Sequence, residues 1–114
     1  MSQNKFYLVA DMNLNNLINS LKEAYLRLVS EFGSGHVGRY YVPYDLLKEE
    51  LGYKRATKKM LETSMLILRQ AGFEVSDESA NRALLVKVNI NSLSYTDSER
   101  LAQALEQYRN KPHG

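Results

Sequence analysis

A run of basic residues is the feature of this chain with the clearest chemical meaning. From Lys54 to Lys59 the sequence reads Lys-Arg-Ala-Thr-Lys-Lys, with four cations and no acid. Residues four apart lie in one row on a helix, so the four cations would form two adjacent rows of like charge. Each like-charge pair costs roughly a few tenths of a kcal/mol in an isolated helix, and a polyanion would remove that cost. The run predicts a polyanion-binding surface; a solvated helix face is the alternative.

Residues suited to catalytic or metal chemistry are few and scattered. The chain has no cysteine, and its two histidines are His36 and His113. Without thiolates or a histidine cluster we expect no metal ion and no cofactor. The adjacent pairs Glu49–Glu50 and Asp77–Glu78 do not suggest a general acid and base. The sequence therefore predicts that the protein is not an enzyme.

A glycine-rich segment, Gly33 to Gly38, matches the G-x-G-x-x-G pattern of dinucleotide-binding turns. That motif requires a strand before it and a helix after it. Here a helical pattern precedes the segment and a strand-like pattern follows it. We therefore interpret it as a hinge.

Helical periodicity begins near Asn13 and continues to Phe32, with apolar residues at three- and four-residue steps. Asp11 or Asn13 can cap the start of this first helix, and Gly33 can end it. Before it, residues 5–10 are apolar and aromatic, which predicts a short strand, with a loosely docked arm as the alternative.

The remaining elements follow from similar local signals. A strand is expected over residues 39–42, a second helix over 44–51, a third helix from Lys54 or Ala56 to Ala71, a hairpin with its turn at 77–82, and a last helix over about 97–109. Thr96 and Glu99 have the spacing of a capping box for the last helix. Its narrow apolar stripe predicts that this helix lies against another element.

Length and composition indicate one globular domain spanning residues 1–114, with a core at about 13–90. Apolar residues make up 44% and charged residues 25% of the chain, which is ordinary globular usage. No apolar run reaches the roughly 20 residues of a membrane-spanning helix, so we expect no membrane contact and a cytoplasmic location. The formal charge of +2 permits a polyanionic partner without requiring one.

Three local segments carry a family resemblance. Residues 42–52 read VPYDLLKEELG, residues 55–57 read RAT, and residues 68–73 read LRQAGF. With the order helix, strand, helix, helix, hairpin, these segments resemble the winged helix-turn-helix superfamily, in particular its small archaeal, viral and plasmid members. The resemblance implies an α+β, mostly α fold with extra helices at both ends, although the stretch from Gly52 to Gly72 is about one helical turn longer than in many bacterial members.

The resemblance also implies which residues would contact DNA. Those nearest base edges would be Arg55, Lys58, Lys59, Glu62 and Thr63. Lys54 and Arg69 would hold phosphates, and Thr57 would donate a hydrogen bond to the same backbone. The hairpin turn would contribute Asn81 and Arg82, with Arg82 entering a minor groove. Arg39, Tyr40, Tyr41 and Tyr44 would reach the phosphate backbone; packing in the core or an interface is the alternative for these aromatic residues.

These residues favour a double-stranded DNA-binding protein, a transcriptional regulator or a plasmid or viral partition-type factor. We expect a homodimer through the first and last helices, because the apolar stripe of the first helix is longer than a small core requires. The alternative is a winged-helix adapter that joins proteins without binding DNA.

Overall fold

A computed structural model of the chain describes the backbone of residues 2–112 and the side chains of residues 14–112. Within that part the fold is α+β and mostly helical. The helices are α1 (Ser2–Phe32), α2 (Tyr44–Leu51), α3 (Lys58–Gln70) and α4 (Ser98–Asn110). The strands are β1 (Gly38–Pro43), β2 (Glu74–Glu78) and β3 (Ala83–Val88). His113 lies outside the described residues.

The first helix corrects one prediction. Residues 5–10 are helical and belong to α1, so both the strand expected there and the caps at Asp11 and Asn13 are wrong. A strand satisfies its backbone groups only against a neighbouring strand, whereas a continued helix satisfies them within the segment. Gly33 ends the helix as predicted, because its φ of 86° lies in the left-handed region and its amide donates to the Val29 carbonyl at 2.8 Å.

The sheet is antiparallel with strand order β1-β3-β2, so the strand before α2 pairs with the hairpin. Side chains alternate between two faces. The inner face presents Val42, Val75, Leu84 and Val86, all buried against the helices. The outer face is much more open, and Tyr41 there is 58% exposed.

The helices enclose a core, and the buried residues of each helix recur at the three- and four-residue steps visible in the sequence. On α2, Tyr44, Leu47 and Leu51 are buried, and on α3 the buried residues are Met60, Ser64 and Leu68. Full burial of a leucine or methionine side chain contributes about 1.5–3 kcal/mol. This spacing orients α3 and leaves the opposite side of that helix in solvent.

Helix α4 packs along α1 of the same chain, which confirms that its stripe needs another element. Ala104 is buried there, and the ring of Tyr108 lies beside Gly33, 3.2 Å from where a Cβ would stand. The apolar stripe of α4 is therefore used within the chain. A homodimer through both terminal helices stays a prediction.

The capping box before α4 is not the expected one. A 3₁₀ turn, Tyr95–Asp97, precedes the helix, and the box joins Ser94 and Asp97 instead of Thr96 and Glu99. Asp97 Oδ2 accepts hydrogen bonds from the Ser94 amide at 2.8 Å and from the Ser94 hydroxyl at 2.9 Å. The box moves because Asp97 is also held by Lys22 of α1, a contact that local sequence does not show.

Candidate nucleic-acid interface

The basic run forms an exposed turn at the start of α3, which we name the basic turn and define as residues 54–59. Lys54 and Arg55 lie in the connector after α2, while Lys58 and Lys59 occupy the first turn of α3. All four cations are exposed. The helix thus begins at Lys58 and not at Lys54 or Ala56 as predicted, because Thr57 supplies a cap that neither earlier residue offers.

Thr57 is the N-cap of α3. Its side-chain oxygen accepts a hydrogen bond from the Met60 amide at 3.1 Å, and its carbonyl accepts from the Leu61 amide at 3.0 Å. The hydroxyl hydrogen stays available to an acceptor. The amides of the first helical residues have no partner inside the helix, and the helix dipole adds partial positive charge at this end. Thr57 therefore orders the end of the helix that carries the cations.

Little negative charge offsets the basic turn. Lys58 Nζ lies 3.9 Å from Glu62 Oε1, a separation at which exposed charges interact weakly. Within the described residues, no carboxylate comes within 4.0 Å of the terminal nitrogens of Lys54, Arg55 or Lys59. Among the side chains that the structure describes, Lys54, Arg55 and Lys59 therefore have no carboxylate that neutralises them.

The solvent side of α3 carries a second group of residues next to the basic turn. Lys59, Glu62 and Leu66 are exposed at three- and four-residue intervals, so they follow one line along the helix. Thr63 is half-buried at the edge of this side. Leu66 is 57% exposed and was not among the predicted contacts; its helical position opposite the apolar stripe is the signal that could have found it.

Arg69 does not join the basic turn. It lies about 16 Å from Lys58 along the helix axis, by the rise of an α-helix. Its Nη2 donates a hydrogen bond to the Val75 carbonyl at 3.0 Å, which ties the last turn of α3 to β2. This contact gives Arg69 a structural role within the domain, and the phosphate contact expected for it stays a prediction.

Tyr44 and Arg82 link the hairpin turn to the start of α2. The Tyr44 hydroxyl donates a hydrogen bond to Asp77 Oδ1, and the Arg82 guanidinium carbon lies 5.6 Å from the centre of the Tyr44 ring. The Arg82 carbonyl accepts from the Tyr44 amide at 2.9 Å, and Arg82 itself has a φ of 50°. The hydrogen bond to Asp77, then burial, raise the pKa of Tyr44.

Tyr44 is 6% exposed and its hydroxyl is already bonded, which favours the packing alternative for this residue. Arg82 and Asn81 are exposed at the hairpin turn. They lie beside the start of α2, and the basic turn follows its end, about 12 Å further along the helix. The hairpin turn and the basic turn are therefore separate surfaces.

Arg39 is also distant from the basic turn. On the outer face of the sheet it lies opposite Lys87, which in turn lies opposite Glu74, the first residue of β2. This end of the sheet adjoins the C-terminal end of α3, whereas the basic turn is at its N-terminal end. Of the other predicted aromatic residues, Tyr40 is half-buried on the inner face and Tyr41 is exposed on the outer face.

The described residues contain no cluster of three or more histidine, aspartate or glutamate side chains that could hold a metal ion. The glycine-rich segment connects α1 to β1 as predicted, and its His36 meets Phe32, the last residue of α1, edge to face with ring centres 5.9 Å apart. No described helix has the length and hydrophobicity needed to cross a membrane.

The fold and the site define an α+β domain with four described helices, a three-stranded antiparallel sheet and a basic helix start. No protein-family model, no curated protein and no solved structure matches the chain. These comparisons therefore add no support to the winged-helix resemblance.

Proposed function

We propose that this protein binds double-stranded DNA as a winged helix-turn-helix domain, with α3 entering the major groove. The observation that carries the proposal is the basic turn, at the start of an exposed helix. Its residues Lys54, Arg55 and Lys59 are exposed, and no carboxylate of the described side chains (residues 14–112) pairs with them. Phosphate neutralisation by such cations supplies most of the sequence-independent affinity for DNA.

The arrangement of α2 and α3 supports this proposal. Gly52 ends α2 with a φ of 75°, and the Tyr53 amide donates to the Lys48 carbonyl at 2.8 Å, so the chain turns sharply before the basic turn. Helix α3 then buries one side against the core and leaves the other in solvent. A helix about 10–12 Å wide fits the roughly 12 Å major groove.

Within this docking arrangement the residues divide by position. Lys54, Arg55 and Lys58 lie at the entrance of the groove and hold phosphates, and the Thr57 hydroxyl donates to the same backbone. Lys59 and Glu62, on the outward side of α3, reach base edges, where lysine suits guanine and glutamate suits cytosine. Thr63 contacts the rim, and Asn81 with Arg82 forms a separate contact through the hairpin turn.

A homodimer completes the proposal, because helix-turn-helix dimers bind two half-sites about one DNA turn apart. Since α4 already packs on α1, the two helices would enter such a dimer together, as one unit. Light scattering at micromolar concentration distinguishes the dimer from a monomer, and a monomeric mass would remove this part of the proposal.

Fluorescence anisotropy with a random-sequence duplex over a salt series tests DNA binding. The variant Arg55→Ala with Lys59→Ala removes two cations of the basic turn. The matched control, Arg39→Ala with Lys111→Ala, removes one arginine and one lysine outside it. We expect binding that weakens with salt, a large loss in the first variant and a small loss in the control. Equal losses in both, or no binding at low salt, would contradict the proposal.

A protein-joining adapter is the second candidate, favoured by the outer face of the sheet. Tyr41 is 58% exposed there, and the half-buried Leu85 lies opposite it on β3. An exposed aromatic residue beside an aliphatic one is typical of protein contacts. Absence of DNA binding at low salt, together with a folded chain, would favour this candidate.

A further inference from the structure

We propose that Leu66 determines part of the DNA sequence preference by contacting the C5-methyl group of a thymine in the major groove. This inference rests on the proposed DNA-binding function and names the base that Leu66 recognises. Leu66 is an exposed apolar side chain on the side of α3 proposed to face DNA.

The helix geometry places Leu66 near the middle of the exposed side of α3. The residues on the opposite side, Met60, Ser64 and Leu68, are all 0% exposed. Leu66 is 57% exposed and follows Glu62 by four residues and Lys59 by seven. Since these intervals keep side chains on one side of a helix, a groove that receives Lys59 and Glu62 also receives Leu66.

The neighbours of Leu66 on this side are polar. Glu62 precedes it by one turn, and the exposed Arg69 and Gln70 follow it. A lone leucine among polar groups does not form the contiguous apolar patch typical of a protein interface. In the major groove, the thymine methyl is the apolar group that base edges present, so it is the natural complement of this side chain.

The rise along α3 gives the spacing of the bases. Leu66 lies about 10.5 Å beyond Lys59 along the helix axis, by the rise of an α-helix. Successive base pairs are about 3.4 Å apart along DNA. A helix that follows the groove is inclined to the DNA axis, so the thymine read by Leu66 is at most about three base pairs from the base read by Lys59.

The experiment removes the apolar group of one partner at a time, the C5-methyl of thymine or the branched end of the Leu66 side chain. Duplexes enriched by the wild-type protein from a random pool are remade with deoxyuridine in place of each thymidine in turn, which deletes only the C5-methyl. Affinities are measured by anisotropy for the wild type, for Leu66→Ala and for the control Val37→Ala, which shortens a side chain 38% exposed in the connector before β1.

We expect one thymine position at which uracil weakens wild-type and Val37→Ala binding about fourfold, the effect of exposing one methyl group. Leu66→Ala should bind the thymine and uracil duplexes equally. An unchanged uracil effect in Leu66→Ala, or no sensitive position, would overturn the role of Leu66 while leaving DNA binding intact. If the protein binds random duplexes but enriches no sequence from the pool, the role of Leu66 is likewise overturned and DNA binding stands. Absence of all duplex binding would overturn the proposed function as well.

Discussion

Lys22 of α1 and Asp97 before α4 form an ion pair that is almost wholly inside the protein. Lys22 Nζ lies 3.0 Å from Asp97 Oδ2, and only 13% and 7% of the two side chains are exposed. The same carboxylate accepts a hydrogen bond from the Ser94 amide. Its other oxygen, Oδ1, lies 3.8 Å from Arg100 Nη1. One aspartate thus fixes the start of α4 and holds that helix on α1.

Replacing this carboxylate should destabilise the fold. Asp97→Asn leaves Lys22 with an unpaired, nearly buried charge, and we expect the free energy of unfolding to fall by about 3 kcal/mol, the lower end for a buried pair. Urea denaturation measures the change. The control Glu99→Gln alters an exposed carboxylate in the first turn of α4 and should change stability little. Equal effects of the two variants would show that the ion pair contributes no more than a surface charge.

The same pair predicts how stability depends on pH. Burial by itself raises the pKa of Asp97, but the hydrogen bonds from Ser94 and Lys22, together with the Lys22 charge, outweigh it and leave the pKa below its ordinary value. A carboxyl with a lowered pKa in the folded state contributes stability above its unfolded pKa of about 3.9 and loses it as pH falls through the folded pKa. The stability difference between wild type and Asp97→Asn should be constant near neutral pH and shrink below about pH 4. Denaturation series at several pH values check this.

The hydroxyl of Tyr44 should hold the hairpin turn against α2. Tyr44→Phe removes its hydrogen bond to Asp77, and we expect the free energy of unfolding to fall by about 1.5–3 kcal/mol, as for a hydrogen bond to a charged group. Tyr41→Phe is the matched control, since that tyrosine is 58% exposed on the same domain. Thermal or urea unfolding decides the outcome, and the interpretation fails if the two variants are equally stable.

The opposite sign is expected for Tyr25. Its side chain is fully buried, and its hydroxyl has no hydrogen-bond partner among the described residues. Burial also raises the pKa of this hydroxyl. Because an unpaired buried hydroxyl carries a desolvation penalty, Tyr25→Phe should raise the free energy of unfolding by about 1 kcal/mol. A decrease on urea denaturation would mean that the hydroxyl has a partner in solution.

Glu62 should weaken binding to DNA of random sequence. Its Oε1 lies 3.9 Å from Lys58 Nζ of the basic turn, and a phosphate backbone would repel this carboxylate. If α3 enters the groove, Glu62→Gln should tighten binding to a random duplex about threefold, the size of one exposed charge interaction. The control Glu106→Gln changes an exposed carboxylate on α4. Unaltered affinity in Glu62→Gln would place α3 away from the phosphates.

Much of the fold was predictable because its signals are local. The bounds of α2 follow from Pro43 and Gly52. The helices α3 and α4 follow from the spacing of their apolar residues, which does not depend on contacts with the rest of the chain. The basic turn was predictable for the same reason, since adjacent residues stay adjacent. The start of α3 was missed by a few residues because Thr57 competes with several plausible starting points.

The composition of the candidate site depended instead on contacts between distant parts of the chain. Pairing of β1 with β3 moves Arg39 to the outer face of the sheet, and the contact with Asp77 removes Tyr44 from solvent. Residues 5–10 became helical against their local strand preference, and Asp97 changed the capping box through a residue 75 positions away. Periodicity along the chain determines which side of an element is apolar; the packing of elements decides which polar residues remain exposed together, because burial depends on neighbours that no local pattern specifies.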